Sequence, residues 1–185
     1  IGKAINDKSG KVTNATEGYQ NIRVHLVFAV KHDGRHKARQ VADGHLTPEP
    51  AESVYSGVVS LRSLRIVIFL AELNKLELWG ADIGNAYLEA KTKEKLYIIG
   101  GPEFKERQGH ILIIHKALYG LRTSGARWHD RLYDVLRDMG FFPCKTDPDI
   151  WMRQAKDGSS YEYIAVYVDD LAIAAKNPGE ICKIL

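Results

Sequence analysis

Hydrophobic positions along the chain fall into short runs, most of them rich in β-branched and aromatic residues. NIRVHLVFAV (21–30), LELWGADI (76–83), EKLYIIG (94–100), HILIIHK (110–116), DIWMRQ (149–154), YEYIAVYV (161–168) and LAIAA (171–175) have the length and composition of strands. HKARQVADG (36–44) follows the turn signal HDGRH and reads as the second arm of a β-hairpin. Two stretches carry helical spacing instead. Ser56–Leu73 places Val59, Leu64, Val67 and Ile68 on one side, and residues 124–139 do the same with Trp128, Leu132, Val135, Leu136 and Met139. Ser124 is the expected cap of that second helix and Gly140 its stop. GNAYLEA (84–90) predicts a turn into a short helix, and LTPEPAES (46–53), GPEFKERQG (101–109) and LYGLRTSG (118–125) read as loops. Hairpins outnumber βαβ units, which predicts an α+β fold with a largely antiparallel sheet. The polar residues 1–19 read as a flexible lead-in, and residues 20–185 as one domain.

Composition narrows this only slightly. The chain has 185 residues, 45% hydrophobic and 26% charged, with a net charge of +3, which is ordinary for a globular protein. The distribution of charge says more than its sum. Arg23, Lys31, Arg35, Lys37 and Arg39 stand against Asp33 alone over residues 23–39, with His25, His32 and His36 among them. Such a concentration suits phosphates, and equally a solvated hairpin surface. Cys144 and Cys182 show no metal or redox spacing, which points to a reducing compartment. Asn14-Ala15-Thr16 fits a glycosylation sequon by chance. The apolar stretch near Val58–Leu73 holds Arg62, Arg65 and Glu72, so no membrane span is expected.

Candidate chemistry lies in the carboxylates. Asp169 and Asp170 interrupt an apolar run, so Val168-Asp169-Asp170 is expected to form a hairpin turn and keep both acids out of the core. Asp82 ends another apolar run and is also followed by a chain reversal. If the two runs are neighbours in one antiparallel sheet, three acids gather at one end of it. They repel unless cations sit between them, and hard oxygen donors suit Mg²⁺. An exposed acidic turn with no such role is the other reading.

Several segments together resemble the reverse transcriptases of copia-type (pseudoviral) LTR retrotransposons. YVDD between apolar strands looks like their catalytic motif, and DIGNAY (82–87) resembles their other metal-binding motif. HKALYGLRTSGARWHDRL (115–132) is similar to their K-A-LYGLKQ-x-PR-x-W signature, and HKARQVADGHL (36–46) to their K-A-R-L-V-A-x-G segment. RDMGFFPCKTDPDIWMR (137–153) is similar to a further stretch, and all fall in the family's order over roughly residues 20–177.

The resemblance implies a polymerase palm: an antiparallel, ferredoxin-like sheet with packed helices over about 52–177. It also implies a partial fingers hairpin over about 21–45 and no thumb. It implies an RNA-directed DNA polymerase that joins a dNTP to a primer 3′-hydroxyl on an RNA or DNA template. Two Mg²⁺ ions, replaceable by Mn²⁺, would be held by Asp82, Asp169, Asp170 and the carbonyl of Ile83. For the dNTP it implies Lys31 and Arg39 on the triphosphate, with Lys37 as the alternative to Lys31. It adds Tyr87 as a gate against the 2′-hydroxyl, and Tyr119, Gly120 and Leu121 along the pocket. Gly120 would let backbone approach the ligand, Arg122 and Arg127 would touch template or primer phosphate, and Trp128 would anchor the core. The family's turns hold the residue before the first aspartate in a strained conformation, so Val168 is expected at positive φ.

Thr123 and Gly125 depart from the family's Gln and Pro. The chain reads as a piece of a longer polyprotein whose thumb, RNase H and integrase segments are absent from it. An active element would place it in a cytoplasmic virus-like particle or the nucleus. The alternative is a decayed or co-opted retrotransposon remnant acting as a non-catalytic binding or assembly component. A Mg²⁺-dependent phosphohydrolase is a third reading, weakened by the absence of HD or DxDx(T/V) motifs.

Overall fold

A computed structural model describes residues 4–5, 17–47, 49–50, 54 and 56–185. The Asn14-Ala15-Thr16 sequence, most of the polar lead-in, Pro48 and Ala51–Ser53 lie outside the described residues. In chain order the elements are β1 (Ala4–Ile5), β2 (Gln20–Asn21), β3 (Val24–Val30), β4 (His36–Ala42), α1 (Leu61–Leu73), β5 (Glu77–Asp82), α2 (Ala86–Glu89) and β6 (Lys91–Ile99). They continue with β7 (Ile111–Lys116), α3 (Ser124–Asp138), β8 (Phe142–Pro143), β9 (Ile150–Gln154), β10 (Tyr161–Tyr167), β11 (Asp170–Ala175) and α4 (Pro178–Cys182). The expected mix of strands and helices is present, and every strand pair but β2–β6 is antiparallel. No helix among the described residues is long and apolar enough to cross a membrane.

The chain divides into two interleaved units. The first comprises residues 1–54 and 87–128, the second 55–86 and 129–185. In the first unit a four-stranded sheet runs β1-β7-β6-β2, and β3 and β4 form a separate two-stranded ribbon. Ile22, Leu96, Ile98, Leu112, Ile114 and Leu121 close its core, because the inward-facing positions of β6 and β7 are aliphatic. In the ribbon Gly34 supplies the positive φ (+80°) that the turn requires.

The second unit is built on a five-stranded antiparallel sheet in the order β5-β11-β10-β9-β8. Val67 and Ala71 of α1 pack with Ile150, Ala165 and Ala174 on one face of this sheet. The helix starts later than its periodicity predicts. Residues 56–60 lie outside helix and strand, and the extended Ser60 is the cap, its hydroxyl accepting the N–H of Ser63 at 3.1 Å. Val59 has an apolar side chain that fits the helical pattern, but its N–H donates to the carbonyl of Val166 at 2.9 Å. That bond continues the sheet edge beyond the end of β9 and holds the segment out of the helix.

At the start of α3 the expected cap is also replaced. Ser124 is already helical, and its hydroxyl donates to the Leu118 carbonyl at 2.6 Å, so it ties the preceding loop down instead of capping. The other end follows expectation. Gly140 (φ +83°) donates to Arg137 and Phe141 donates to Leu136, a Schellman closure. Cys144 and Cys182 are both free thiols.

Candidate functional site

The two acid-bearing runs are sheet neighbours. β5 pairs with β11 in a register that sets Asp82 directly opposite Asp170. Side chains alternate across a strand, and directly opposed residues share a face, so both carboxylates leave the same side of the sheet. Both are exposed. Among the described residues neither they nor Asp169 make an ion pair or a side-chain hydrogen bond. Like charges facing each other across a ladder are destabilising, and no ion pair or side-chain hydrogen bond among the described residues offsets this one.

Asp169 belongs to the connection. Tyr167 pairs with Asp170, so the loop between β10 and β11 is the two residues Val168 and Asp169, and Asp170 is the first residue of β11 and not part of the turn. Val168 has φ +58°, as expected, while Asp169 does not share the positive φ. A positive φ at the first central residue alone is the mark of a II′ turn, whose hand matches the twist of the strands. Glycine is the usual residue there, so a valine stores strain at the point that sets the direction of Asp169. The Asp169 carbonyl accepts the Ile83 N–H at 2.9 Å, which fastens the turn to the residue after Asp82.

Asp82, Ile83, Asp169 and Asp170 therefore stand at one sheet end. Among the described residues, however, no three His, Cys, Asp or Glu side chains are gathered closely enough to hold a metal ion. The donor set itself suits a hard cation: carboxylate oxygens, solvent access and no competing partner.

The residues implied for the nucleotide lie in the first unit. Arg39 on β4 holds its guanidinium over the Tyr119 ring, 5.2 Å from the centroid, and Tyr119 meets Tyr87 at 4.9 Å between centroids. Nε of Arg39 is buried without a hydrogen-bond partner, an expensive state for a guanidinium nitrogen. Lys31 is not part of this group. It lies exposed in the loop of the ribbon, its backbone closing the turn with Arg35 and Gly34. At the same tip Arg35 is paired with Asp33 at 2.6 Å, which holds the Asp33 carboxyl below its ordinary range.

Gly120 has a structural reason beside the expected one. At φ +89°, a Cβ there would sit 2.0 Å from the Ala42 carbonyl oxygen, so β4 backbone by itself already demands glycine. The Ala42 N–H donates to Tyr119 at 2.7 Å across this contact. Arg122 is engaged within the protein, donating to the carbonyls of Gly44 and His45 at 3.1 Å each. Thr123, in place of the family's Gln, donates to the Glu94 carboxylate. Trp128 is buried, as a core anchor should be.

One cluster escaped the sequence reading. Asp149 is buried, and its Oδ1 accepts the Tyr133 hydroxyl at 2.8 Å and lies 3.3 Å from Nε2 of His129. Burial and the Asp149 carboxylate push the Tyr133 hydroxyl pKa well up, so it stays a donor. A Cβ at Gly57 would come within 2.4 Å of the same carboxylate, and the Asp149 carbonyl accepts the Val166 N–H at 2.9 Å. Asp149 thus ties together α3, the 57–60 segment and β10, two residues before the Val168 turn. Its only sequence signal was the i, i+4 pair His129 and Tyr133 on one helix face.

Comparison with known proteins agrees with the resemblance. A family model described as reverse transcriptase (RNA-dependent DNA polymerase) matches residues 8–184. The retrovirus-related Pol polyprotein from transposon TNT 1-94 of Nicotiana tabacum is 25% identical over 183 residues, 94% of this chain and 14% of that protein. The Pol polyprotein from transposon RE1 of Arabidopsis thaliana is 31% identical over 78% of this chain and 10% of its own length. The transposon Ty1-BL Gag-Pol polyprotein of Saccharomyces cerevisiae is 33% identical over 82% of this chain and 8% of its own. The chain thus spans about a tenth of the length of these curated relatives.

Proposed function

The chain belongs to the reverse transcriptase family, among the Pol proteins of Ty1/copia-type transposons, and from that premise we propose that it carries the nucleotidyl-transfer site of an RNA-directed DNA polymerase. The observation that carries the reading is the opposition of Asp82 and Asp170, neither of which has an ion-pair partner among the described residues. Asp82 and Asp169 are assigned as the main metal-holding carboxylates, Asp170 as the weaker one, and the Ile83 carbonyl as a further donor. Two Mg²⁺ ions, when bound, would activate the primer 3′-hydroxyl and stabilise the leaving pyrophosphate. The protein's own part is to aim the acids: the II′ turn directs Asp169, and the Ile83–Asp169 hydrogen bond holds that turn beside Asp82.

For the nucleotide, the orphaned Nε of Arg39 supports its assignment to a triphosphate oxygen, which a guanidinium can bind in bidentate fashion. Tyr119 braces that guanidinium from one side. Tyr87 is assigned as the gate against the 2′-hydroxyl and Lys31 as an outlying phosphate contact. The five-stranded unit would be the palm, and the β3–β4 ribbon the fingers. Substrates would be an RNA or DNA template with its primer, and the remainder of a polyprotein would supply the grip on them.

A non-catalytic binding role is the second reading. It is favoured by the absence, among the described residues, of three acids gathered around one point. Primer extension on an RNA template with dNTPs and Mg²⁺, alongside Asp169→Asn, decides between them. Template-dependent extension that the substitution abolishes supports polymerisation. No extension with Mg²⁺ or Mn²⁺ at high protein concentration overturns it in favour of binding alone, and phosphoester hydrolysis without template overturns both.

A further inference from the structure

α1 carries large apolar residues on its outer side as well as its inner one, with Arg62, Arg65 and Glu72 among them, and only the inner side is covered. Val67 and Ala71 face the core of their unit, while Phe69 is 64% exposed, Leu73 65% and Ile66 51%. Exposed large apolar side chains grouped on one helix face, rimmed by charges, mark a contact surface. At about 100° per residue, Phe69 points directly away from the buried side. Ile66 and Leu73 lie on one flank of Phe69, with Arg62 one turn beyond Ile66 towards the helix start, and Arg65 and Glu72 lie on the other. Arg65 and Glu72 are seven residues apart, two turns along the helix, too far to pair with each other. Among the described residues neither has an ion-pair partner.

We propose that this face binds a second copy of the chain, α1 packing antiparallel to α1 about a two-fold axis beside Phe69. The pattern is self-complementary in the way an isologous contact requires. A two-fold axis at Phe69 brings position 65 of one copy within one residue, about 1.5 Å along the helix, of position 72 of the other, on the same flank, and position 66 equally close to position 73. Arg65 then meets Glu72 of the second copy, twice. On the opposite flank Ile66 meets Leu73, twice, and the two Phe69 rings meet at the centre. One cation and one anion on a single flank, four residues before and three after an aromatic centre, is what selects a second copy over an unrelated helix. A helix of 13 residues is about 20 Å long, and a contact of that size falls below the area of standard stable interfaces. The dimer is therefore weak and concentration-dependent. Nothing in this inference depends on whether the carboxylates turn over.

Sedimentation velocity of the whole chain over a concentration series tests it. The wild-type mass average moves from monomer towards dimer as concentration rises, and Phe69→Asp stays monomeric. Phe69 is exposed in the monomer, so its replacement leaves the core intact, and an unchanged circular dichroism melt verifies this. Arg65→Glu weakens the dimer about tenfold or more, and Arg65→Glu with Glu72→Arg restores it. A monomer at every concentration overturns the proposal and leaves the face to another segment of a longer polyprotein. A dimer indifferent to Phe69→Asp, or a double exchange that fails to restore, overturns it equally.

Discussion

Asp170 faces Asp82 across the β5–β11 ladder, carboxylate opposite carboxylate, at the end of the sheet where the II′ turn holds Asp169. Removing one charge relieves repulsion and removes a donor together. Asp82→Asn should therefore raise stability by about a few tenths of a kcal/mol in metal-free buffer. Mg²⁺ should raise the melting temperature of the wild type and not of the variant, because a ligand stabilises only the state that binds it. Thermal melts with EDTA and with millimolar Mg²⁺ check both halves. Extension activity should fall at least about a hundredfold.

Val168 occupies a backbone position suited to glycine. Val168→Gly should relieve about 1–2 kcal/mol of strain, offset in part by the greater freedom of the unfolded glycine. Urea unfolding should show a net gain in stability. Primer extension should fall all the same, because a looser turn no longer aims Asp169.

Much of this site was legible because its signals are local. Two charges inside an apolar run demand a turn, and Asp82 ends its run in the same way. The start of α1 was not legible, because Val59 satisfies the helical pattern while its N–H is taken by Val166, over a hundred residues away. Ser124 failed as a cap for a similar reason: its hydroxyl reaches the Leu118 carbonyl. The Asp149 cluster joins a helix, a loop and a strand, and no spacing rule gathers such residues. The close approach of Ala42 to Gly120 was not legible either, since only the fold brings the two together.

Asp149→Leu should be among the most destabilising single changes in the second unit. It strands the Tyr133 hydroxyl and His129 in a half-buried site, at about 3 kcal/mol. Asp149→Asn keeps an acceptor and should cost less. Paired urea titrations of the two variants measure the difference.

Gly120→Ala should cost about 3 kcal/mol, from positive φ and a clash with the Ala42 carbonyl acting together. The loss should appear first in hydrogen exchange at the Ala42 amide, which donates to Tyr119.

Asp157 sets an acid-side pH dependence. The Lys176 ammonium beside it, helped by the Ser159 N–H and hydroxyl, holds its carboxyl down at about 2 from an ordinary 3.8. A depressed folded pKa means the contribution is present above about pH 4 and is lost as pH falls through about 2. Asp157→Asn should flatten stability over that interval. Added salt should shrink the difference, since the pair is exposed. Urea midpoints between pH 2 and pH 5 at two ionic strengths read it directly.

The strand order of the five-stranded sheet also sets a timetable for synthesis. β5 is the first of its strands to be translated and β11 the last, yet they are immediate neighbours. Asp170 leaves the ribosome roughly ninety residues after Asp82, about 5–20 s at ordinary elongation rates. For that interval β5, with Leu78 and Trp79, has no native partner strand. A growing chain of this kind has a built-in window in which a chaperone, or a neighbouring nascent copy, reaches the strand before its own partner exists.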